Sequence, residues 1–313
     1  MAQANSSPTV SIGEVERETG LSKDTLRVWE RRYGFPMPAR DDNDERLYSD
    51  EQVQRLRVIK RLLDSGHRPG KIVGLALGEL ATVGRPITGK PSPVETGDST
   101  QQAMQMILGH QAEELRDHLI RWLMQLGLRQ FVLDVVVPLN SLVGEAWLQG
   151  SIEIFEEHLY TNQVQALLQH ALSALPAPHR APRVLLTTLP GEEHQLGLLM
   201  AHAFFAMEGT QCFSLGTQTP MADILRAVDV HRIDIVGLSC TVSGLRGAQA
   251  SLLALRERLG REVELWVGGT AALLDPPRSD AIRRVRSLPE ISSAVSRWRD
   301  QYARARSNNP TTE

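Results

Sequence analysis

The sequence has few of the features that mark secreted or membrane-spanning proteins. Cysteine is scarce: Cys212 and Cys240 are the only two in 313 residues, so a disulfide framework is excluded and no Cys-x-x-Cys pair indicates zinc. No uninterrupted apolar run approaches the roughly 20 residues needed to span a bilayer. The segment Met1–Ser7 lacks the basic and apolar parts of a secretory signal. We therefore expect a cytoplasmic protein with no membrane contact.

The chain also lacks a large excess of positive or negative charge. The formal net charge is -3 at pH 7, which gives no overall signal for nucleic-acid binding. A DNA-binding surface, if the chain has one, must therefore be local and be identified by its motif. The length of 313 residues exceeds a single hydrophobic core and predicts two to three domains.

Changes in composition divide the chain into segments. The run Gly84–Thr100 is rich in Pro, Gly, Ser and Thr, which predicts a linker over residues 81–100. Residues 101–177 are apolar at helical spacing with breaks near glycines, and this pattern predicts a four-helix bundle. The breaks lie at Gly109, Gly127 and Gly150.

The last segment, residues 181–306, alternates between strand and helix patterns. Four apolar runs predict strands: Arg183–Leu189, Gln211–Leu215, Ile233–Ser239 and Glu264–Val267. Three helical patterns lie between them: Leu196–Met207, Met221–Val230 and Ser243–Leu259. This alternation predicts a Rossmann-like α/β domain with a doubly wound parallel sheet. The arginine-rich stretch Arg297–Arg306 predicts a terminal helix.

The N-terminal segment contains two helix-start signals in close succession. Ser11 and Glu14 form a capping box, and Gly20 predicts the end of that helix. Ser22 then predicts a cap for a second helix from Lys23 to about Arg31. Two helices joined by so short a turn indicate a helix-turn-helix, although any short amphipathic pair has the same pattern. The second helix would present Lys23, Thr25 and Arg27 to DNA, and Leu26 and Trp29 to the core.

The residues after the second helix favour the helix-turn-helix over an unspecific pair of amphipathic helices. They contain an arginine-aromatic motif and a second capping box: Arg31-Arg32-Tyr33-Gly34-Phe35-Pro36, Arg40, Arg46, Tyr48 and Ser49-x-x-Gln52. Together they resemble the MerR family of transcription regulators. The resemblance implies a winged helix-turn-helix over residues 8–80, with its second helix in the major groove of double-stranded operator DNA. The implied DNA contacts are Lys23, Thr25, Arg27, Arg31, Arg32, Tyr33, Arg40, Arg46 and Tyr48.

The wing implied by this resemblance, residues 34–48, departs from the family pattern. A glycine is usual near Asp44, whereas this chain has Asp41-Asp-Asn-Asp-Glu45. Asn and Asp tolerate left-handed backbone, so we expect the turn to form. The added negative charge weakens phosphate contact and leaves Arg40 and Arg46 to make it.

The loop after the first predicted strand of the α/β domain carries the second motif. Ligands of open α/β sheets bind beyond the carboxyl ends of the strands. The loop has no G-x-G-x-x-G, which disfavours a dinucleotide site; it has Glu192-x-His194-x-x-Gly197. A histidine can ligate a metal while a carboxylate fixes its tautomer, and glycine leaves room for a bulky ligand. The alternative is a helix-capping loop with a surface histidine.

This motif, with Ser239 after the third strand and Gly268-Gly269 after the fourth, resembles the cobalamin-binding domain of methionine synthase and corrinoid proteins. The resemblance implies that His194 is the lower cobalt ligand and Glu192 its partner. It also implies that the displaced nucleotide tail passes the Ser and Gly positions. The family's Ser-x-Leu is Ser239-Cys240-Thr241 in this chain, which leaves the details of the tail pocket open.

A third pattern lies in the predicted bundle, where nine residues separate Trp147 from Glu157-His158. The break at Gly150-Ser151 lets the chain fold back, so that these side chains could together cap a cofactor. Otherwise Trp147 is a core residue and Glu157-His158 an exposed polar pair. The spacing resembles the CarH and LitR group of light-sensing MerR regulators.

That resemblance implies that Trp147, Glu157 and His158 contact the upper ligand of adenosylcobalamin; methylcobalamin or hydroxocobalamin are other forms that could bind. It implies a homo-oligomer, dimer or tetramer, that binds DNA in darkness and is released when light cleaves the cobalt–carbon bond. Leu148 replaces the histidine that binds cobalt after photolysis in well-described members.

These resemblances together imply a non-enzymatic, light-sensing transcription repressor. A light-independent cobalamin sensor is the first alternative. A corrinoid-dependent methyltransferase subunit is the second, and the N-terminal segment counts against it, since such a subunit needs no DNA-binding head.

Overall fold

The computed structural model describes residues 9–41, 43–64, 68–83, 96–269 and 281–307. The chain forms two compact units. The first consists of Met1–Ser92 and Ser141–Glu157. The second consists of Pro93–Asn140 and His158–Glu313.

The N-terminal part of the first unit, the head, is a small helical fold with a three-stranded sheet. Its elements are β1 (Thr9–Ser11), α1 (Ile12–Thr19), α2 (Lys23–Tyr33), β2 (Ala39–Arg40), β3 (Arg46–Ser49), α3 (Asp50–Asp64), α4 (Pro69–Ile72) and α5 (Leu77–Val83). The strands are antiparallel in the order β1-β3-β2. Leu26 and Trp29 are buried in the head core, as the sequence predicted.

Helix capping in the head is largely as predicted. Ser11 and Glu14 form the capping box of α1, and Gly20 ends it in the left-handed conformation. Ser22 caps α2 through the N–H of Thr25. The box predicted at Ser49 is wrong in its second half. Gln52 donates its backbone N–H to Ser49 Oγ, but its side-chain amide pairs instead with the backbone of Met37 at 3.0 and 2.8 Å.

Helices fill the middle of the chain. They are α6 (Thr96–Leu108), α7 (Ala112–Phe131), a π-helical turn (Val132–Val136), α8 (Val137–Gln149) and α9 (Ile154–Ser173). Gly109 and Gly150 fall between helices as predicted. The predicted break at Gly127 is present as a kink within α7, where this residue has φ 72° and ψ 162°. The arrangement of these helices as a bundle stays a prediction. The core of the predicted linker, residues 84–95, lies outside the described residues.

One helical stretch, Ala112–Trp147, is long and apolar enough by composition to cross a membrane. Charged residues interrupt the apolar runs of this stretch, so the sequence shows no long uninterrupted apolar segment there. Buried core helices have the same composition, and the non-helical Gly127 interrupts this stretch. The stretch is therefore only weak support for a membrane span.

The second unit contains the predicted α/β domain. Its elements are β4 (Arg180–Thr187), α10 (Leu196–Met207), β5 (Thr210–Gly216), α11 (Met221–His231), β6 (Ile235–Ser239), α12 (Val242–Arg258), β7 (Glu264–Gly268), β8 (Ile282–Arg284) and α13 (Leu288–Ser307). The sheet is parallel in the order β5-β4-β6-β7-β8. This confirms the predicted parallel α/β domain; β8 is an edge strand that was not predicted.

The register of the central strands sets up the candidate site. Thr187 at the end of β4 pairs with Leu238, and Ser239 at the end of β6 pairs with Gly268 at the end of β7. The loops that follow these strands therefore emerge side by side at the carboxyl edge of the sheet. Both faces of the central strands are buried, as expected for a sheet covered by helices on both sides.

Candidate functional site

The predicted acid–histidine pair is formed at the carboxyl edge of the sheet, in the loop between β4 and α10. His194 Nδ1 lies 2.5 Å from Glu192 Oε1, and the backbone N–H of His194 donates to the same oxygen at 3.1 Å. The His194 side chain is 67% exposed, whereas that of Glu192 is only 4% exposed. The imidazole is thus exposed to solvent, whereas the carboxylate that it contacts is buried.

Thr241, after β6, holds the other oxygen of the same carboxylate. Glu192 Oε2 accepts the backbone N–H of Thr241 at 2.6 Å and its hydroxyl at 2.5 Å. Burial raises the pKa of Glu192, but the hydrogen bonds from His194 and Thr241 outweigh it and lower this pKa to about 2. In the tautomer of a neutral imidazole that donates Nδ1–H to this carboxylate, the lone pair lies on Nε2, the atom suited to bind a metal.

A cavity of about 320 Å³ lies against the same strand ends. It falls at the lower end of the range of small-molecule sites. Gly197, Ser239 and Gly268, three of the positions predicted to pass the nucleotide tail, line it. Most of the other lining side chains are apolar, including Leu186, Leu198, Phe205, Leu238, Trp266 and Ile291.

Two glycines let the loops approach one another. A Cβ on Gly197 would lie 2.9 Å from Ser239 Oγ, so glycine keeps the start of α10 close to the end of β6. Gly269 has φ 88°, a conformation that disfavours side chains, and a Cβ there would overlap the carbonyl oxygen of Cys240. The donor set, the apolar cavity and the glycines together fit a corrinoid whose nucleotide tail ends in an apolar base.

The residues predicted for the upper face are divided between the two units. Trp147, on α8, belongs to the first unit, as does the half-buried Glu157; the exposed His158 belongs to the second. The side chain of Leu148 lies outside the described residues. The structure therefore brings Glu192, His194, Gly197, Ser239, Gly268 and Gly269 together, and the capping role of Trp147, Glu157 and His158 stays a prediction.

Trp147 contacts a residue of the head that sequence reasoning missed. The guanidinium carbon of Arg61, in the last turn of α3, lies 4.8 Å from the centroid of a Trp147 ring. The Arg61 guanidinium also donates to the backbone carbonyl of Trp147. Arg61 is only 5% exposed, and burial lowers its pKa. A basic residue near a helix C-terminus is common, so the sequence held no signal for this contact.

The residues predicted to bind DNA differ in exposure. Lys23, Arg27, Arg31, Arg32 and Arg40 are exposed, and Thr25, Tyr33 and Arg46 are half-buried. The Thr25 hydroxyl lies 2.8 Å from that of Ser22, so it belongs to the capping of α2. The exposed cations fit a surface that faces phosphates and base edges.

Several of these cations are paired within the head. Arg46 bonds Glu30 of α2 at 2.9 Å, which raises the pKa of Arg46, and Arg40 bonds Asp44 at 2.6 Å. Asp44 has φ 64°, so it takes the left-handed conformation expected where the family has glycine. Phosphate contact by Arg40 or Arg46 therefore requires exchange of a carboxylate partner.

The prediction that Tyr48 contacts DNA is wrong in this structure. Its side chain is 0% exposed in the head core, because the register of β3 turns it toward the helices. Among the residues that the structure describes, its hydroxyl has no hydrogen-bond partner. Tyr48 therefore stabilises the head through its ring and not through its hydroxyl.

Replacing Tyr48 with Phe is expected to raise the free energy of unfolding by about 1 kcal/mol, because it removes an unsatisfied buried hydroxyl. Denaturant unfolding of the full chain measures this. Tyr302→Phe, which removes an exposed hydroxyl, is the control and should change little. Weaker operator binding by Tyr48→Phe at unchanged stability would contradict the buried assignment.

Comparison with known proteins relates both parts of the chain to described families. Residues 10–78 match the family model of MerR HTH family regulatory proteins, and residues 182–285 match that of the B12 binding domain. Part of the chain shares its fold with the monomethylamine corrinoid protein of Methanosarcina barkeri. That match has a TM-score of 0.51 at 13% identity and covers 63% of this chain and 96% of that one.

Two curated relatives extend across both parts. The HTH-type transcriptional repressor CarH of Myxococcus xanthus is 33% identical over 273 residues, which are 84% of this chain and 90% of that protein. The repressor CarA of the same organism is 28% identical over 272 residues, 84% of this chain and 88% of that protein. Both are transcriptional repressors, so the chain is a transcription regulator and not an enzyme. It belongs to the CarH-type family of MerR regulators that carry a B12-binding domain.

Proposed function

We propose that this regulator is a cytoplasmic repressor that senses light through bound adenosylcobalamin. The observation that carries the proposal is the Glu192–His194 pair beside an apolar cavity at the carboxyl edge of the sheet. The proposal has three parts: how the cofactor is held, what light changes, and how DNA is bound.

His194 would bind cobalt through Nε2, with Glu192 keeping the proton on Nδ1. The nucleotide tail would occupy the cavity, where Gly197, Ser239 and Gly268 leave room for it. A mainly apolar wall favours an apolar heteroaromatic base, because burial removes its surface from water. Retention of the cofactor would thus come from one metal bond and one buried tail.

Trp147 would contact the adenosyl group, whose flat base suits an aromatic face. When bound, the cofactor supplies a cobalt–carbon bond that light can break. The DNA-binding assembly needs only to bind the intact cofactor more tightly than the dissociated chains do, because a ligand stabilises the state that binds it best. Release of DNA in light then follows from loss of that preference.

Operator binding would use α2 in the major groove, with the exposed cations of the head on the phosphates. MerR-type heads reach two half-sites when they are paired, so we propose a homo-oligomer, either a dimer or a tetramer. Its size would depend on light.

A light-independent cobalamin sensor is the alternative function. Leu148 favours this alternative, because a leucine side chain cannot bind cobalt. The chain then has no histidine at this position to bind cobalt after light has broken the cobalt–carbon bond. The methyltransferase-subunit alternative is excluded by the relationship to the CarH and CarA repressors across 84% of this chain.

Operator affinity measured in darkness and after green light distinguishes the two functions. An operator selected from random duplexes is titrated with the full chain loaded with adenosylcobalamin, and the oligomer is sized in parallel. We expect affinity to fall by about 10-fold or more on illumination. Equal affinities would favour the light-independent sensor. Failure to take up any corrinoid at micromolar supply would refute both.

The variant Trp147→Ala is expected to retain cobalamin but to lose about 10-fold in preference for the adenosyl over the methyl form, because the aromatic contact is removed. Equilibrium dialysis with both forms measures the preference. Trp147→Phe keeps a ring and is the control. Equal retention of the two forms by the parent chain would contradict a role for Trp147 in selecting the cofactor.

A further inference from the structure

Helix α2, which the proposed function places in the major groove, has an apolar side chain on its outward face. This face is formed by residues with the spacing i, i+3, i+4 and i+7, which share one side of a helix: Asp24, Arg27, Val28 and Arg31. The opposite side buries Leu26 and Trp29 in the head core. Val28 is 44% exposed, and within α2, which the structure describes in full, no other large apolar side chain is exposed.

The charged members of the outward face are suited to polar contacts. Arg27 Nη1 donates to Asp24 Oδ1 at 3.1 Å, so these two charges offset one another within the helix. Arg31 is exposed, and arginine side chains bind phosphates and the edge of guanine. Val28 has no polar atom in its side chain, so it joins neither the ion pair nor a phosphate contact. The interaction left to it is an apolar contact with a partner molecule.

The free head gains little from a valine at this position. A β-branched residue has a lower helix propensity than alanine, because its χ1 angle is restricted in a helix. An exposed side chain also buries little apolar surface within the head. The methyl groups of Val28 are therefore available to DNA without any loss to the head core.

The major groove of DNA offers one apolar group that fits such a side chain. Base edges present hydrogen-bond donors and acceptors there, and thymine adds its 5-methyl group. A helix that lies in the groove turns its outward face toward these edges. Valine is short, so Val28 reaches only a base that lies directly against α2, while the longer Arg27 and Arg31 side chains extend past it on the same face.

We propose that Val28 determines part of the operator specificity: it contacts the 5-methyl group of a thymine and so favours thymine at one position of each half-site. The inference rests on the proposed function, in which α2 occupies the major groove. Val28 adds selectivity for a base, whereas the exposed cations of the head add affinity for phosphates whatever the sequence.

The test uses the full chain, with adenosylcobalamin supplied in darkness, and the operator selected from random duplexes. Each thymine of this operator is replaced in turn by deoxyuridine, which lacks only the 5-methyl group, and affinity is measured by fluorescence anisotropy. We expect the parent chain to lose about 3-fold in affinity at one thymine per half-site, the effect of exposing one methyl group to water. Val28→Ala should bind the thymine operator about 3-fold more weakly and should no longer distinguish thymine from uracil at that position.

Two controls separate reading of a base from general damage. Val28→Ala should fold as the parent chain does, because Val28 is exposed and alanine favours a helix more than valine. Met37→Ala removes another exposed apolar side chain of the head, outside α2, and should keep the parental sensitivity to deoxyuridine. The slope of log affinity against log salt should be unchanged in Val28→Ala, whereas Arg31→Gln should reduce it by about 1.

The outcomes separate the inference from the proposed function. A parent chain that binds no duplex overturns both the proposed DNA binding and the role of Val28. A parent chain that binds its operator but is insensitive to deoxyuridine at every thymine overturns only the role of Val28. Sensitivity that persists in Val28→Ala, or that Met37→Ala also loses, overturns it as well, as does a reduced salt slope in Val28→Ala. Loss of sensitivity in Val28→Ala alone, at the parental salt slope, supports it.

Discussion

Replacing His194 with alanine is expected to lower the affinity for cobalamin by more than about 100-fold. Loss of a residue that merely supports a metal ligand costs about 10- to 100-fold, and loss of the ligand itself costs more. The His194 side chain is 67% exposed and Glu192 is the buried member of the pair, so shortening His194 leaves little buried space behind. Equilibrium dialysis of the full chain with hydroxocobalamin measures the loss.

The neighbouring variant Glu193→Gln is a matched control in the same loop. Glu193 is exposed, and its side chain accepts a hydrogen bond from Gln218 at 3.3 Å. It should bind cobalamin as the parent chain does. Parental affinity and an unchanged absorption spectrum in His194→Ala would show that another group is the lower ligand.

The variant Gly197→Leu is expected to reduce cobalamin binding by about 10- to 100-fold, because the new side chain enters the cavity that the tail would occupy. The new Cβ would lie 2.9 Å from Ser239 Oγ, so the Ser239 side chain has to shift, while the first turn of α10 itself favours leucine over glycine. Binding of cobinamide, which has no tail, should fall much less. The ratio of the two affinities is the measurement.

Ala206→Leu supplies the control for added bulk on α10. Ala206 is half-buried and does not line the cavity, so both corrinoids should bind this variant as they bind the parent. If Gly197→Leu weakens cobalamin and cobinamide equally, the tail does not use this cavity, and the assignment of Ser239 and Gly268 to the tail fails with it.

The elements of the fold could be predicted from the sequence because their signals are local. The caps at Ser11 and Ser22 depend on residues three positions apart. Helix α10 begins and ends where its apolar pattern does, at Leu196 and Met207. The short edge strand β8 was not predicted, because three residues are too few to show an alternating pattern.

Contacts between distant residues could not be predicted in the same way. Gln52 carries the signature of a capping box, yet its side chain bonds Met37, fifteen residues away. Arg46 was expected on phosphate and pairs with Glu30. Tyr48 was expected at the surface and is buried. In each case tertiary packing surrounds the side chain with residues that are distant in sequence. The spacing of residues along the chain does not reveal those contacts.

The candidate site also combines a local contact that the sequence predicted with a contact between distant residues that it did not predict. Glu192 and His194 are two residues apart, so their pairing was visible in the motif, and the structure forms it. Thr241 was visible only as a departure from Ser-x-Leu. Its bond to Glu192 depends on the parallel pairing of β4 with β6, which brings together loops that are far apart in sequence. The volume of the cavity likewise depends on side chains from several elements.

The contact between Arg61 and Trp147 has a consequence for how a signal could travel. Arg61 is part of the helix α3 that packs in the head core, and its desolvated charge rests on an aromatic ring and a carbonyl of α8. Any event that displaces that ring leaves the cation to reorganise inside the head. A shift of Trp147 on α8 would thus change the electrostatic environment of a buried cation in the head.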